Sequence, residues 1–96
     1  MKVEFIEAAM REYGEAFDYY EGKKPGLGKE FRDETGNALA RIIEFPLAWS
    51  KLSMRTRRCL TNRFPFGILY QVRSDRILIV GVMHMRRSPQ HWLDRV

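Results

Sequence analysis

The residues with the widest chemical reach in this chain cluster toward its end. His84, Arg86 and Arg87 lie in VMHMRRSPQHW, residues 82–92, which closes with His91 and Trp92. Arg58 and Arg63 stand just ahead of FPFGILYQV, residues 64–72. Arginine stays protonated at physiological pH and presents a planar fork of donors, so these four can hold an anion or an acidic surface but cannot carry a proton. Acid–base work would fall to His84 or His91. Trp92 offers a face that could stack on a base.

Other chemistries find no foothold. Cys59 is the only cysteine, and with two histidines it matches no zinc spacing, so neither a metal nor a disulfide is expected. No G-x-S-x-G elbow surrounds Ser50, Ser53, Ser74 or Ser88. PGLGKEF, residues 25–31, lacks the GK[ST] of a phosphate loop, and its glycines read as a turn. No cofactor is expected.

Hydrophobic period locates the elements that must position these residues. Lys2 to Phe5 alternates and predicts a first strand. Ala9, Met10, Tyr13, Phe17 and Tyr20 then form one helical stripe, with Arg11, Glu12, Glu15 and Asp18 opposite, predicting a helix over residues 6–22. After the break at Pro25, a second stripe of Leu27, Phe31, Thr35, Ala38, Leu39, Ile42 and Phe45 predicts a helix over 27–45, stopped by Pro46. Gly14 and Gly36 lie mid-helix, where each costs about 1 kcal/mol against alanine, which suggests either close backbone packing or simple tolerance.

Beyond Pro46 the period changes. RRCLTNRF, GILYQV and RILIVGVMHM read as three strands, divided by the Phe64–Gly67 corner and by a Ser74-Asp75 hairpin connection. The last is apolar from Ile77 to Met83, as in a strand covered on both faces or placed centrally in a small sheet, with Gly81 marking a bulge or a close approach. Pro89 to Leu93 forms a short helical turn, and Trp49 is expected as a lid over the core. The expected architecture is α+β, in the order β-α-α-β-β-β with a short C-terminal helical turn. A two-helix hairpin packs on one face of a small, mainly antiparallel sheet, and the other face is left for function.

Length and charge set bounds. Ninety-six residues make one domain, residues 1–96, and 45% hydrophobic with 30% charged residues are globular proportions. Charged residues interrupt MKVEFIEAAMREY, so no signal peptide or membrane span is expected and the protein is placed in the cytoplasm. The net charge of +5 hides a division. Residues 1–50 carry seven Lys/Arg against ten Asp/Glu, whereas residues 51–96 carry ten against two. The basic half would attract an anionic partner, whether RNA, DNA or an acidic protein segment.

YYE (Tyr19–Glu21), PGLGKEF, P-x-x-W (Pro46, Trp49), the Arg57-Arg58 pair, RFPFGILYQV (Arg63–Val72) and VMHMRRSPQHW occur in an order that spans nearly the whole chain. In order and spacing they closely resemble the ParE branch of the RelE/ParE toxin superfamily, the plasmid stabilisation toxins. The resemblance implies a bacterial toxin of a type II toxin–antitoxin pair, neutralised by a cognate antitoxin with an acidic, partly disordered tail. ParE-like members poison DNA gyrase; RelE-like members cut mRNA on the ribosome without metal. The ribonuclease needs a base for the 2′-hydroxyl, cations for the phosphate and an acid for the leaving oxygen. RelE-like members supply lysines, arginines and a C-terminal tyrosine. Here Gly67 stands where many relatives carry arginine, and His91 and Trp92 stand where a tyrosine would be sought. The reading is therefore a gyrase inhibitor that binds its target through Arg58, Arg63, Arg86, Arg87 and Trp92. The alternative is a metal-independent endoribonuclease using His84, His91, Arg63, Arg86 and Arg87 on the ribosome.

Overall fold

Two apolar stripes at helical spacing fold the first half into a hairpin. The computed structural model describes residues 1–96, and in it α1 (Glu7–Lys23) and α2 (Leu27–Glu44) follow a short first strand, β1 (Lys2–Phe5). Gly26 joins the helices at φ 91°, a left-handed conformation that favours glycine. The Glu21 carboxylate accepts hydrogen bonds from Gly26 N–H and Gly28 N–H, both at 3.0 Å, so the end of α1 caps the start of α2. A methyl group on Gly28 would lie 2.8 Å from Glu21 Oε1. The glycines of PGLGKEF thus serve this turn. Gly14 and Gly36 have nothing within 4 Å of an added Cβ, so tolerance explains them and backbone packing does not.

The second half forms β2 (Ser50–Lys51), β3 (Arg57–Leu60), β4 (Phe66–Val72), β5 (Arg76–His84) and α3 (Gln90–Leu93). The sheet order is β1-β5-β4-β3-β2. β1 runs parallel to β5, as a strand returning from a helical crossover must, and the other pairs are antiparallel. Two details differ from the sequence expectation. The two-residue β2 pairs with Arg57 and Arg58, and the strand in RRCLTNRF stops at Leu60. Residues 61–65 instead form a turn, in which the Thr61 hydroxyl donates to Phe64 O at 2.8 Å and Arg63 takes φ 69°.

The inner face of the sheet packs on the helices. Phe31, fully buried, is ringed by Tyr13, Tyr20, Phe64 and Phe66 at centroid distances of 5.2–5.9 Å. Ile42, Ile68, Tyr70, Ile77, Ile79 and Val82 complete this layer, with Trp49 against its margin. Burial raises the Tyr70 phenol to about 12, and its hydroxyl donates to Pro46 O at 2.6 Å.

The outer face is not left bare. Leu69, Leu78, Val80 and Met83 form a second cluster under Trp92 of α3, which corrects the expectation of a free face and explains why β5 is apolar at nearly every position. Leu69 pairs with Gly81 and Tyr70 with Ile79, so Val80 is the extra residue of a bulge. A Cβ on Gly81 would meet Trp92 Cδ1 at 2.4 Å, and the glycine therefore admits the indole.

Candidate target-binding site

The chain leaves β5 through a pinned turn. Met85 N–H donates to Pro65 O at 2.8 Å, His84 Nδ1 accepts the Arg86 N–H at 3.1 Å, and Arg87 N–H donates to His84 O at 3.0 Å. Arg86 and Arg87 are consequently held at the corner with their side chains exposed. Neither guanidinium has a carboxylate partner. The His84 ring stands edge-on to Phe66 at 5.2 Å, and Nε2 is its free nitrogen.

Glu12 anchors this turn from behind. β1 ends at Phe5 opposite Ile79, so the rest of the β5 edge lacks a strand neighbour. The Glu12 carboxylate fills the gap: it accepts from Val82 N–H at 3.0 Å, Trp92 Nε1–H at 2.7 Å and the Arg95 guanidinium at 2.7 and 3.1 Å. Arg95 also donates to Val80 O at 3.0 Å. A carboxylate shared among four N–H donors is a strong, charge-assisted lock. Sequence reasoning placed Glu12 on a solvated helix face, and no local spacing could reveal partners as far away as Arg95.

Between α1 and the end of β5 lies a cleft of about 200 Å³, lined in part by Glu12, Glu15, His84, Arg87 and Trp92. A neighbouring hollow is lined by Arg87, Ser88, Gln90, His91 and Asp94. Arg87 faces both. His84 belongs to the first and His91 to the second, so the histidines do not flank a common pocket, as an acid and a base working across one phosphate would.

The remaining arginines have different environments. Arg58 lays its methylenes over Gly67, where an added Cβ would meet Arg58 Cδ at 2.8 Å, so the space above position 67 is already filled. Its guanidinium has no ion pair. Arg63 is engaged, bound to Glu30 at 2.7 Å and lying over the Phe64 ring. Trp92, expected on the binding surface, is 2% exposed and cannot stack on a partner, because Glu12 and the outer sheet enclose it. Its role here is to hold the Arg86–Arg87 turn against the sheet.

This α+β architecture, with two helices on a mixed sheet and a terminal helical turn, has counterparts among solved structures. A chain described as the chromosomal ParDE TA system from P. aeruginosa superposes with a TM-score of 0.75 at 14% identity, covering 88% of this chain and 95% of that one. No match was found among curated proteins. The family model for the ParE toxin of the type II toxin–antitoxin system, parDE, matches residues 3–89. The chain belongs to the ParE toxin family and is the toxin component of a type II toxin–antitoxin system, which pairs it with a cognate antitoxin. No helix is long and apolar enough to cross a membrane.

Proposed function

We propose that this toxin arrests growth by interfering with DNA gyrase, that Arg86, Arg87 and Arg58 grip the target, and that the cognate antitoxin neutralises it in the cytoplasm. The observation that carries this reading is the turn after β5. It holds two unpaired guanidiniums in solvent on a backbone fixed by three hydrogen bonds. Such a device suits recognition of an acidic surface, since each guanidinium can take a carboxylate bidentately from a backbone that does not have to be ordered first. Membership of the ParE branch supports the same choice.

The alternative is a ribosome-dependent mRNA endonuclease, and one observation favours it: His84, Glu15 and Arg87 line the same cleft. Growth on inducing medium separates the two readings. The double variant Arg86→Ala/Arg87→Ala should restore plating by at least about tenfold, the loss expected when a pair of charged contacts is removed. His84→Ala and His91→Ala should stay toxic at equal protein abundance. Loss of toxicity in a histidine variant, with the arginine pair dispensable, would favour the endonuclease.

A further inference from the structure

We propose that the free edge of β1 is a contact between two copies of this chain, which pair antiparallel about a two-fold axis at Val3. The sheet order β1-β5-β4-β3-β2 leaves two edges. β2, with two residues, is too short to template a strand. β1 has four, KVEF, in regular register with β5, and neither a proline nor a bulge discourages further pairing.

The main-chain groups that face outward follow from the register. Ile6 N–H donates to Ile79 O at 3.0 Å, and the direction of these groups alternates along a strand. Lys2 and Glu4 therefore turn theirs toward β5, whereas Val3 and Phe5 turn theirs away from the sheet. Glu12 and Arg95 occupy the next stretch of the β5 edge, at Val82 N–H and Val80 O, so the open ladder is confined to β1.

The side chains select the occupant. Val3 and Phe5 pack on the inner core, which puts Lys2 and Glu4 on the outer face, both exposed. Lys2 stands opposite Arg76 in the register, two cations side by side, and has no carboxylate partner. Glu4 is bound to Arg76 at 2.8 Å and its side chain is still 49% exposed. When Val3 faces Val3 of a second copy, the two exchange both main-chain hydrogen bonds, because their groups point outward. Lys2 then lies opposite Glu4 of the second copy, and Glu4 opposite its Lys2, at the positions where cross-strand side chains approach most closely. On the inner face Phe5 meets Met1, which is 65% exposed. An axis at Glu4 would set two glutamates face to face, and one at Phe5 would set Glu4 against Ile6. The axis at Val3 alone makes the strand complementary to itself. The contact uses none of Arg58, Arg86 or Arg87, so it is independent of the gyrase reading.

Sedimentation equilibrium of the untagged, antitoxin-free chain between about 1 and about 300 μM is the test, since so small a contact gives a dissociation constant on the order of 10 μM. The mass should rise from monomer to dimer within this range. Lys2→Glu and Glu4→Lys each place like charges opposite one another on both sides of the axis, and each should raise the dissociation constant at least about fivefold. The exchange Lys2→Glu/Glu4→Lys restores both cross-strand pairs and should return the dissociation constant to within about twofold of the wild type. The Glu4–Arg76 pair is lost in Glu4→Lys and in the double variant alike, so the recovery reports the contact between copies. Circular dichroism verifies the fold of each variant. A monomer at every concentration would overturn the proposal and leave the edge to a strand of another protein. So would a dimer indifferent to the single reversals, or one that the double exchange fails to restore, for either would put the contact elsewhere.

Discussion

At the scale of single residues, the partly buried Glu12 carboxylate binds more of the molecule together than the exposed ion pairs do. Glu12 satisfies one backbone amide, one indole and one guanidinium. Glu12→Ala leaves Val82 N–H and Trp92 Nε1 unpaired and Arg95 without a counter-ion, and it should cost about 3 kcal/mol of stability in urea denaturation. The exposed Arg11–Glu7 pair at 3.8 Å is the contrasting case, and Glu7→Ala should change stability by less than about 0.5 kcal/mol. Tyr70 supplies the pH signature. Its folded-state value is raised to about 12 from 10.0, so the unfolded chain loses that proton first as pH rises. Its contribution is complete below pH 10 and is lost as pH rises through about 12, a decline of about 3 kcal/mol. Denaturation across this window should show a shallower decline in Tyr70→Phe; the remaining slope would come from Tyr13 and Tyr20, whose values burial also raises.

Elements were legible in the sequence wherever their period was long. The stripes from Ala9 to Tyr20 and from Leu27 to Phe45 located both helices to within a residue or so of α1 and α2. The unbroken apolar run of β5 fitted either coverage on both faces or a central place in the sheet, and Gly81 either a bulge or a close approach; the structure shows the run covered on both faces and Gly81 against the indole. β2 escaped, because two exposed residues paired only to Arg57 and Arg58 carry no period. What covers the outer face escaped as well, since Trp92 is tied to Glu12 across 80 positions. The Arg86–Arg87 part of the candidate site was visible as a cluster, whereas the burial of Trp92 and the engagement of Arg63 by Glu30 depend on tertiary contacts alone. The contact at Gly81 is open to a direct check. Gly81→Ala drives a methyl group toward Trp92 Cδ1, so it should cost about 1–3 kcal/mol. It should also red-shift Trp92 emission, recorded in a Trp49→Phe background. An unshifted spectrum at wild-type stability would mean that the indole does not lie over the glycine.

Across the whole molecule, charge follows architecture. β1, the two long helices and the first residue of β2 come from the segment with seven basic and ten acidic residues, and the rest of the sheet comes from the segment with ten and two. The fold therefore carries a basic meander against a mildly acidic helical layer, which steers anionic partners toward the sheet and makes their association sensitive to salt. Nothing in this charge distribution requires the two histidines, which line separate hollows on either side of Arg87. Supercoiling by purified gyrase in the presence of the antitoxin-free toxin is the direct test of whether toxicity runs through gyrase, as proposed above. Supercoiling should fall in a dose-dependent manner with accumulation of cleaved DNA complexes, and Arg86→Ala/Arg87→Ala should relieve both. Unimpaired supercoiling at growth-arresting doses, accompanied by codon-phased 5′ ends in the mRNA of induced cells, would contradict that proposal.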